Sequence, residues 1–208
     1  MVADLIELVS RAAVTLVDRL GYTGVVLGMA IESINIPLPS EVLMPLAGAL
    51  ISSGRFDFWW LALAGAVGNV IGSIGNYYLG AYGGRPFIER YGRYFLIRHE
   101  DLALADRWFQ KYGLAAVFFA RLMPVIRTFI SFPAGVSRVP LGPFIVLTFL
   151  GSLIWSAFLV YLGLTFGEHY EDVIRPIFQR FDVLIGVLLI AAVTWYVARH
   201  LGLGARRR

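Results

Sequence analysis

The chain has 208 residues, of which 58% are hydrophobic and only 15% charged, with a mean hydropathy of +0.71. A water-soluble domain of this size would have too little polar surface with that composition, so part of its solvent is lipid. The absence of cysteine excludes disulfides and cysteine-ligated metals, and the net charge of +4, carried largely by Arg206, Arg207 and Arg208, is a topological signal that needs no nucleic-acid partner.

The first predicted element covers residues 2–20. Leu5, Ile6, Val9, Ala12, Ala13, Leu16, Val17 and Leu20 recur at helical spacing, with Asp4, Glu7, Arg11 and Asp18 elsewhere. This is the pattern of an amphipathic helix lying on a membrane surface. It lacks the basic start of a secretory signal. Residues 21–54 are mostly apolar but contain Glu32 and Glu41, with Pro37, Pro39 and Pro45 between and beside them. Residues 58–80 hold no Asp, Glu, Lys or Arg and reach the roughly 20 residues needed to span a bilayer. The stretch 81–111 is basic, with Arg85, Arg90, Arg93, Arg98, Arg107 and Lys111. Residues 112–137 are apolar around Arg121, Pro124 and Arg127, and residues 139–167 form a second uncharged span. A third span, 183–201, ends in Trp195, Tyr196, Arg199 and His200, the composition of an interfacial anchor.

Proline removes a backbone donor and breaks a helix, so neither 21–54 nor 112–137 is expected to run as one straight span. Non-helical backbone at membrane depth survives only when buried in protein or lining a wet cavity. Two re-entrant hairpins are therefore expected. The arginine-rich C-terminus belongs on the cytoplasmic side, the acidic loop 168–182 outside and the basic loop 81–111 inside. Counting back along the chain, the hairpin 112–137 enters from the cytoplasm and the hairpin 21–54 from outside.

A weak internal repeat agrees with this. Gly68 precedes Tyr78-Leu79-Gly80 as Gly151 precedes Tyr161-Leu162-Gly163. Pro37 precedes Ala47-Gly48 as Pro124 precedes Ala134-Gly135. A hairpin and a span repeated in opposite orientation is the inverted-repeat plan of many secondary transporters. The expected fold is all-α and integral to the membrane. It is one domain over 1–208, with two opposed re-entrant hairpins, about three transmembrane helices and an N-terminal amphipathic helix.

Charge at the bilayer centre costs roughly 3 kcal/mol on insertion scales, so Glu32, Glu41, Arg121 and Arg127 call for partners and a purpose. One reading is two buried salt bridges locking hairpin to hairpin. The other is a site, because arginine offers a planar fork of donors suited to phosphate and a carboxylate in a low-dielectric cavity can exchange protons. Asn69 and Asn76 either line that cavity or bond a neighbouring helix. Ser40, Pro37 and Pro124 are placed with them. His99, His169 and His200 lie outside the apolar segments, so no metal site and no histidine-based catalytic set is expected. Arg55, Asp57 and Arg138 read as interfacial anchors, as do Trp59, Trp60, Trp108 and Trp195.

Ile31-Glu32-Ser33, Pro37-Leu38-Pro39-Ser40-Glu41 and Pro45-Leu46-Ala47-Gly48 resemble the first signature of the DedA family, also described as SNARE-associated or VTT-domain membrane proteins. Phe119-Ala120-Arg121, Pro124, Arg127 and Ala134-Gly135 resemble its second. The likeness covers roughly residues 20–165. It implies lipid translocation without cofactor or catalytic residue: return of undecaprenyl phosphate, or movement of phosphatidylethanolamine, across a bacterial cytoplasmic membrane. By that resemblance Glu32 and Glu41 are the proton-coupling acids, and Arg121 and Arg127 the phosphate-binding arginines. The Pro-Ser-Glu form resembles the branch associated with polyprenyl phosphate. The partners implied are a membrane lipid and protons, with association between copies of the chain left open. A proton-coupled carrier of a small soluble ion and a lipid phosphatase are the rival readings.

Overall fold

Two long apolar helices frame the molecule. The computed structural model describes residues 15–36, 40–84, 114–123 and 126–167, with Thr194 beyond them. Within these residues the regular elements are all helical. They are α1 (Tyr22–Ser33), α2 (Ser40–Ala49), α3 (Phe58–Tyr78), α4 (Ile126–Phe129), α5 (Ser131–Val136) and α6 (Leu141–Phe166). Residues 15–20 and 114–121 are helical as well. The third expected span, most of the N-terminal helix and the basic stretch beyond Gly84 lie outside the described residues.

The framing helices begin where local chemistry dictates. The Asp57 carboxylate accepts from the Trp59 and Trp60 amides at 2.9 and 3.1 Å, satisfying donors that a helix start leaves orphaned. Its own amide donates to the Tyr22 hydroxyl at 2.7 Å, which ties α1 to the start of α3. Asp57 is thus a helix cap. Arg55, also read as an anchor, pairs with Asp18 at 2.5 Å. Helix α3 does not stop at residue 80. It continues as π-helical turns over Leu79–Gly84, giving an apolar run of 27 residues, so the first residues assigned to the loop 81–111 are helical. Helix α6 opens with Pro140 as its cap and Pro143 in its first turn, where no intrahelical donor is needed. It ends at Gly167, whose φ of 50° favours glycine.

Both helices carry polar groups inward and apolar groups outward. On α6, Thr148, Ser152 and Ser156 are buried while Val146, Leu150, Ile154, Phe158 and Tyr161 are exposed. On α3, Asn69, Ser73 and Asn76 are buried while Trp59, Trp60, Val67 and Ile71 are exposed. A protein in water distributes these groups the other way, whereas lipid accepts the apolar face without cost.

The proline-bearing stretches fold as broken helices. Between α1 and α2 the chain turns at Ile34–Asn35, and Asn35 takes φ 67°, a left-handed conformation that asparagine tolerates. The interruption falls there and not at Pro45, which lies inside α2. Helix α1 packs on α3, but α2 packs on α6. The second stretch does the converse: Arg121 of segment 114–121 lies against Gly151 of α6, while α5 packs on α3 and its π-helical end. Four close approaches fix this exchange. A side chain at Gly48 would meet the Val160 backbone carbonyl and one at Gly163 the Pro45 carbonyl. A side chain at Gly135 would meet the Tyr77 carbonyl and one at Gly80 the Phe132 carbonyl. Small residues at these points let backbones touch, which is how helices associate where no hydrophobic effect drives them together.

Two apolar clusters result. One joins Met29, Leu43, Met44, Leu61, Trp155 and Leu159 with their neighbours; the other joins Tyr77, Val117, Ala120, Ile130, Ala134 and Phe144. Along α3 and α6 the buried Asn69, Ser73, Asn76, Thr148 and Ser152 lie in sequence between members of the two clusters. The antiparallel spans therefore sandwich a polar layer between two apolar ones.

Candidate substrate site between the broken segments

The polar layer collects all four ionisable residues singled out in the sequence, but not in pairs of two and two. Arg127, on the short helix α4, is 3% exposed. Its Nη2 donates to Glu32 Oε1 at 2.7 Å and to Glu41 Oε1 at 3.2 Å. It also donates to the Ser40 hydroxyl, which in turn donates to Glu32 Oε1 at 2.8 Å. The side chains of Glu32 and Glu41 are 8% and 16% exposed. Two carboxylates and a hydroxyl from the first broken segment thus converge on one guanidinium from the second.

The sequence puts Glu32 at the end of α1 and Ser40-Glu41 at the start of α2. Only the turn between them brings both ends to the same place. The start of α2 also points its unsatisfied amides and positive dipole end toward this position, which favours negative charge there.

Arg121 corrects the expectation of balanced pairing. Among the described residues it forms no ion pair. Its Nη1 donates to the Arg127 carbonyl at 2.5 Å, and its Nη2 donates to the hydroxyls of Ser73 at 2.9 Å and Ser131 at 2.6 Å. The guanidinium carbon stands 5.9 Å from the Phe144 ring centroid. Arg127 has an aromatic neighbour of its own, with its guanidinium 5.4 Å from the Trp155 ring centroid. Contact with an aromatic face stabilises a desolvated cation.

The remaining expected residues divide. Asn76 donates to the carbonyls of Ser33 and Thr128, both at 3.3 Å, and so bridges the ends of both broken segments. Asn69 accepts from the Ser33 hydroxyl at 2.6 Å, and its buried amide nitrogen has no hydrogen-bond partner. The second oxygen of Glu32 is likewise buried without a partner. Pro37 and Pro124 lie outside the described residues. Among the described residues no group of three His, Asp or Glu side chains gathers as a metal site would.

The sequence reading missed Trp155, Ser33, Ser73 and Ser131. Trp155 had a usable signal: a tryptophan mid-span, away from either membrane interface, is not a belt residue. The serines carried none, since a hydroxyl in a membrane helix is equally able to bond its own backbone.

Comparison with known proteins places the chain in a family. The model of the VTT domain matches residues 38–165, which include Ser40, Glu41 and both arginines. The chain is similar to Undecaprenyl phosphate transporter A of Bacillus subtilis, with 39% identity over 88% of this chain and 89% of the relative. An uncharacterized membrane protein of the same organism is 38% identical over 86% of this chain and 78% of its own length. An alkaline phosphatase-like protein of Lactococcus lactis is 32% identical over 90% of this chain and 91% of its own length. No solved structure matches the chain. The chain belongs to the VTT-domain, or DedA, family of membrane proteins.

Proposed function

We propose that this protein is a lipid translocase that moves a phosphate-bearing lipid, undecaprenyl phosphate in the first instance, across the bacterial cytoplasmic membrane. The observation that carries the reading is the convergence of Glu32, Glu41 and Ser40 on the Arg127 guanidinium across the two broken segments. In the empty state the carboxylates occupy the donors that a phosphate oxygen would use. A phosphate monoester entering the polar layer displaces them and takes the planar fork of Arg127, while the polyprenyl chain stays in lipid along the exposed apolar faces of α3 and α6. Glu41, the more exposed of the two acids, carries the coupling proton. Arg121 and the buried Asn69 and Asn76 belong to the same site. The kinship with a relative named as an undecaprenyl phosphate transporter supports the choice of lipid.

In this reading 21–54 and 112–137 are re-entrant hairpins entering from opposite faces of a single membrane domain. The spans are 58–84, 139–167 and 183–201, an amphipathic helix covers 2–20, and the C-terminus is cytoplasmic. The reciprocal approaches support an inverted repeat. Gly48 on Val160 corresponds to Gly135 on Tyr77, and Gly163 on Pro45 corresponds to Gly80 on Phe132. The same intervals relate the sequence motifs of the two halves. Sites in such folds lie between broken helices at the midplane.

The test is reconstitution of the full chain into liposomes with a fluorescent polyprenyl phosphate or a fluorescent phosphatidylethanolamine, with and without a pH gradient. Polyprenyl phosphate should move, faster with the gradient, and Arg127→Lys should slow it by about tenfold or more although it keeps the charge, because the fork is lost. Movement of phosphatidylethanolamine alone would make the protein a phospholipid flippase. Ion flux without lipid movement would make it a soluble-ion carrier, and phosphate release from the lipid would make it a phosphatase.

A further inference from the structure

We infer that the two arginines do different work: Arg127 is the substrate-binding arginine, and Arg121 is a positioning residue that does not touch the substrate but holds Arg127 in place. The inference rests on the phosphate reading of Arg127 given above. Arg121 is 2% exposed, and its terminal nitrogens are engaged by the Arg127 carbonyl, Ser73 and Ser131. Its Cβ is held against the backbone of α6 at Gly151. No carboxylate has to leave for Arg121 to stay bonded: its terminal nitrogens donate to a carbonyl and two hydroxyls, and only its buried Nε has no hydrogen-bond partner.

The geometry explains why an arginine is needed there. Helix α4 spans only Ile126–Phe129, so the Arg127 carbonyl is among the last four of its helix, which have no partner within it. One guanidinium closes the break from residue 121 to residue 127 through Nη1, and through Nη2 reaches both residue 131 and α3. A lysine ammonium keeps the charge but cannot span three acceptors held in this fixed arrangement. The carbonyl that Arg121 grips belongs to Arg127 itself, so any loosening passes directly to the backbone that aims the Arg127 fork at Glu32 and Ser40.

The test uses the serines, which on this inference touch Arg121 and not the substrate. In liposomes carrying a fluorescent polyprenyl phosphate, the double variant Ser73→Ala/Ser131→Ala should slow translocation by about tenfold, the scale of lost hydrogen bonds to a charged group. Ser131→Thr, which keeps the hydroxyl, should recover most of the rate. The serine changes should add little to Arg121→Gln, because residues in one network do not act additively. A double serine variant working at the wild-type rate beside an inactive Arg121→Lys would make Arg121 a direct ligand and overturn the inference. A second readout needs no lipid: amide exchange over residues 126–131 should speed up in both Arg121→Lys and the double serine variant. If the wild-type chain moves no polyprenyl phosphate, the lipid reading fails by itself. The anchoring is then decided by exchange, and unchanged exchange in both variants would overturn it.

Discussion

Replacing Glu32 by glutamine tests the polar layer most sharply, because it removes a charge while leaving the shape of the side chain nearly intact. Glutamine keeps an oxygen that can accept from Ser40 and Arg127, now held at 2.8 and 2.7 Å. A hydrogen bond involving a charged group contributes roughly 1.5–3 kcal/mol, against roughly 0.5–1.5 kcal/mol for a neutral pair. Losing the acid's charge should therefore cost about 2–3 kcal/mol over the two bonds. Removing one partner of a buried ion pair costs roughly 3–5 kcal/mol in general, and Glu41 beside Arg127 keeps the loss near the lower end. Glu41→Gln acts on a longer contact of 3.2 Å with a side chain twice as exposed, so about 1 kcal/mol is expected. With about 2–4 °C per kcal/mol for a chain of this size, thermal unfolding in detergent should fall by about 4–12 °C for Glu32→Gln and about 2–4 °C for Glu41→Gln. Equal shifts, or the reverse order, would refute the view that Glu32 is the principal counter-ion of Arg127.

Transport should show the opposite ranking in its pH dependence: Glu41→Gln should abolish acceleration by a pH gradient in liposomes, because the coupling proton loses its carrier. Gly163→Ala should lower the unfolding temperature by an amount equivalent to about 1–3 kcal/mol, since a side chain there overpacks the Pro45 backbone, whereas Gly142→Ala, with open space around it, should be silent. Trp155→Leu should reduce polyprenyl phosphate movement several-fold and Trp155→Phe less so, because phenylalanine keeps an aromatic face under the Arg127 guanidinium.

Much of the frame was legible from residue order. The apolar runs at 58–80 and 139–167 appear as α3 and α6 because a bilayer-length stretch without charge has few other structures open to it. That 21–54 and 112–137 would not run as single straight helices was legible for the same kind of reason, since proline denies a helix a donor, and the described interruptions fall at Ile34–Asn35 and Leu122–Met123. The family signatures also marked Glu32, Glu41, Arg121 and Arg127 as the residues of interest. Boundaries were less secure. The continuation of α3 through Gly84 escaped because glycine-rich sequence carries no signal for a π-helical turn.

Which acid meets which arginine was beyond the sequence. Counting charges predicts two pairs, and that count is satisfied by any pairing at all. The tertiary structure decided that Glu32 and Glu41 share Arg127 while Arg121 turns to serine hydroxyls and a carbonyl. The physical reason is distance across the fold. The turn at Ile34–Asn35 brings the end of α1 and the start of α2 to α4, and the packing of Arg121 against Gly151 aims its guanidinium at Ser73 and Ser131 instead. Sequence fixes which charges must be buried together; only the crossing of the helices assigns each its partner.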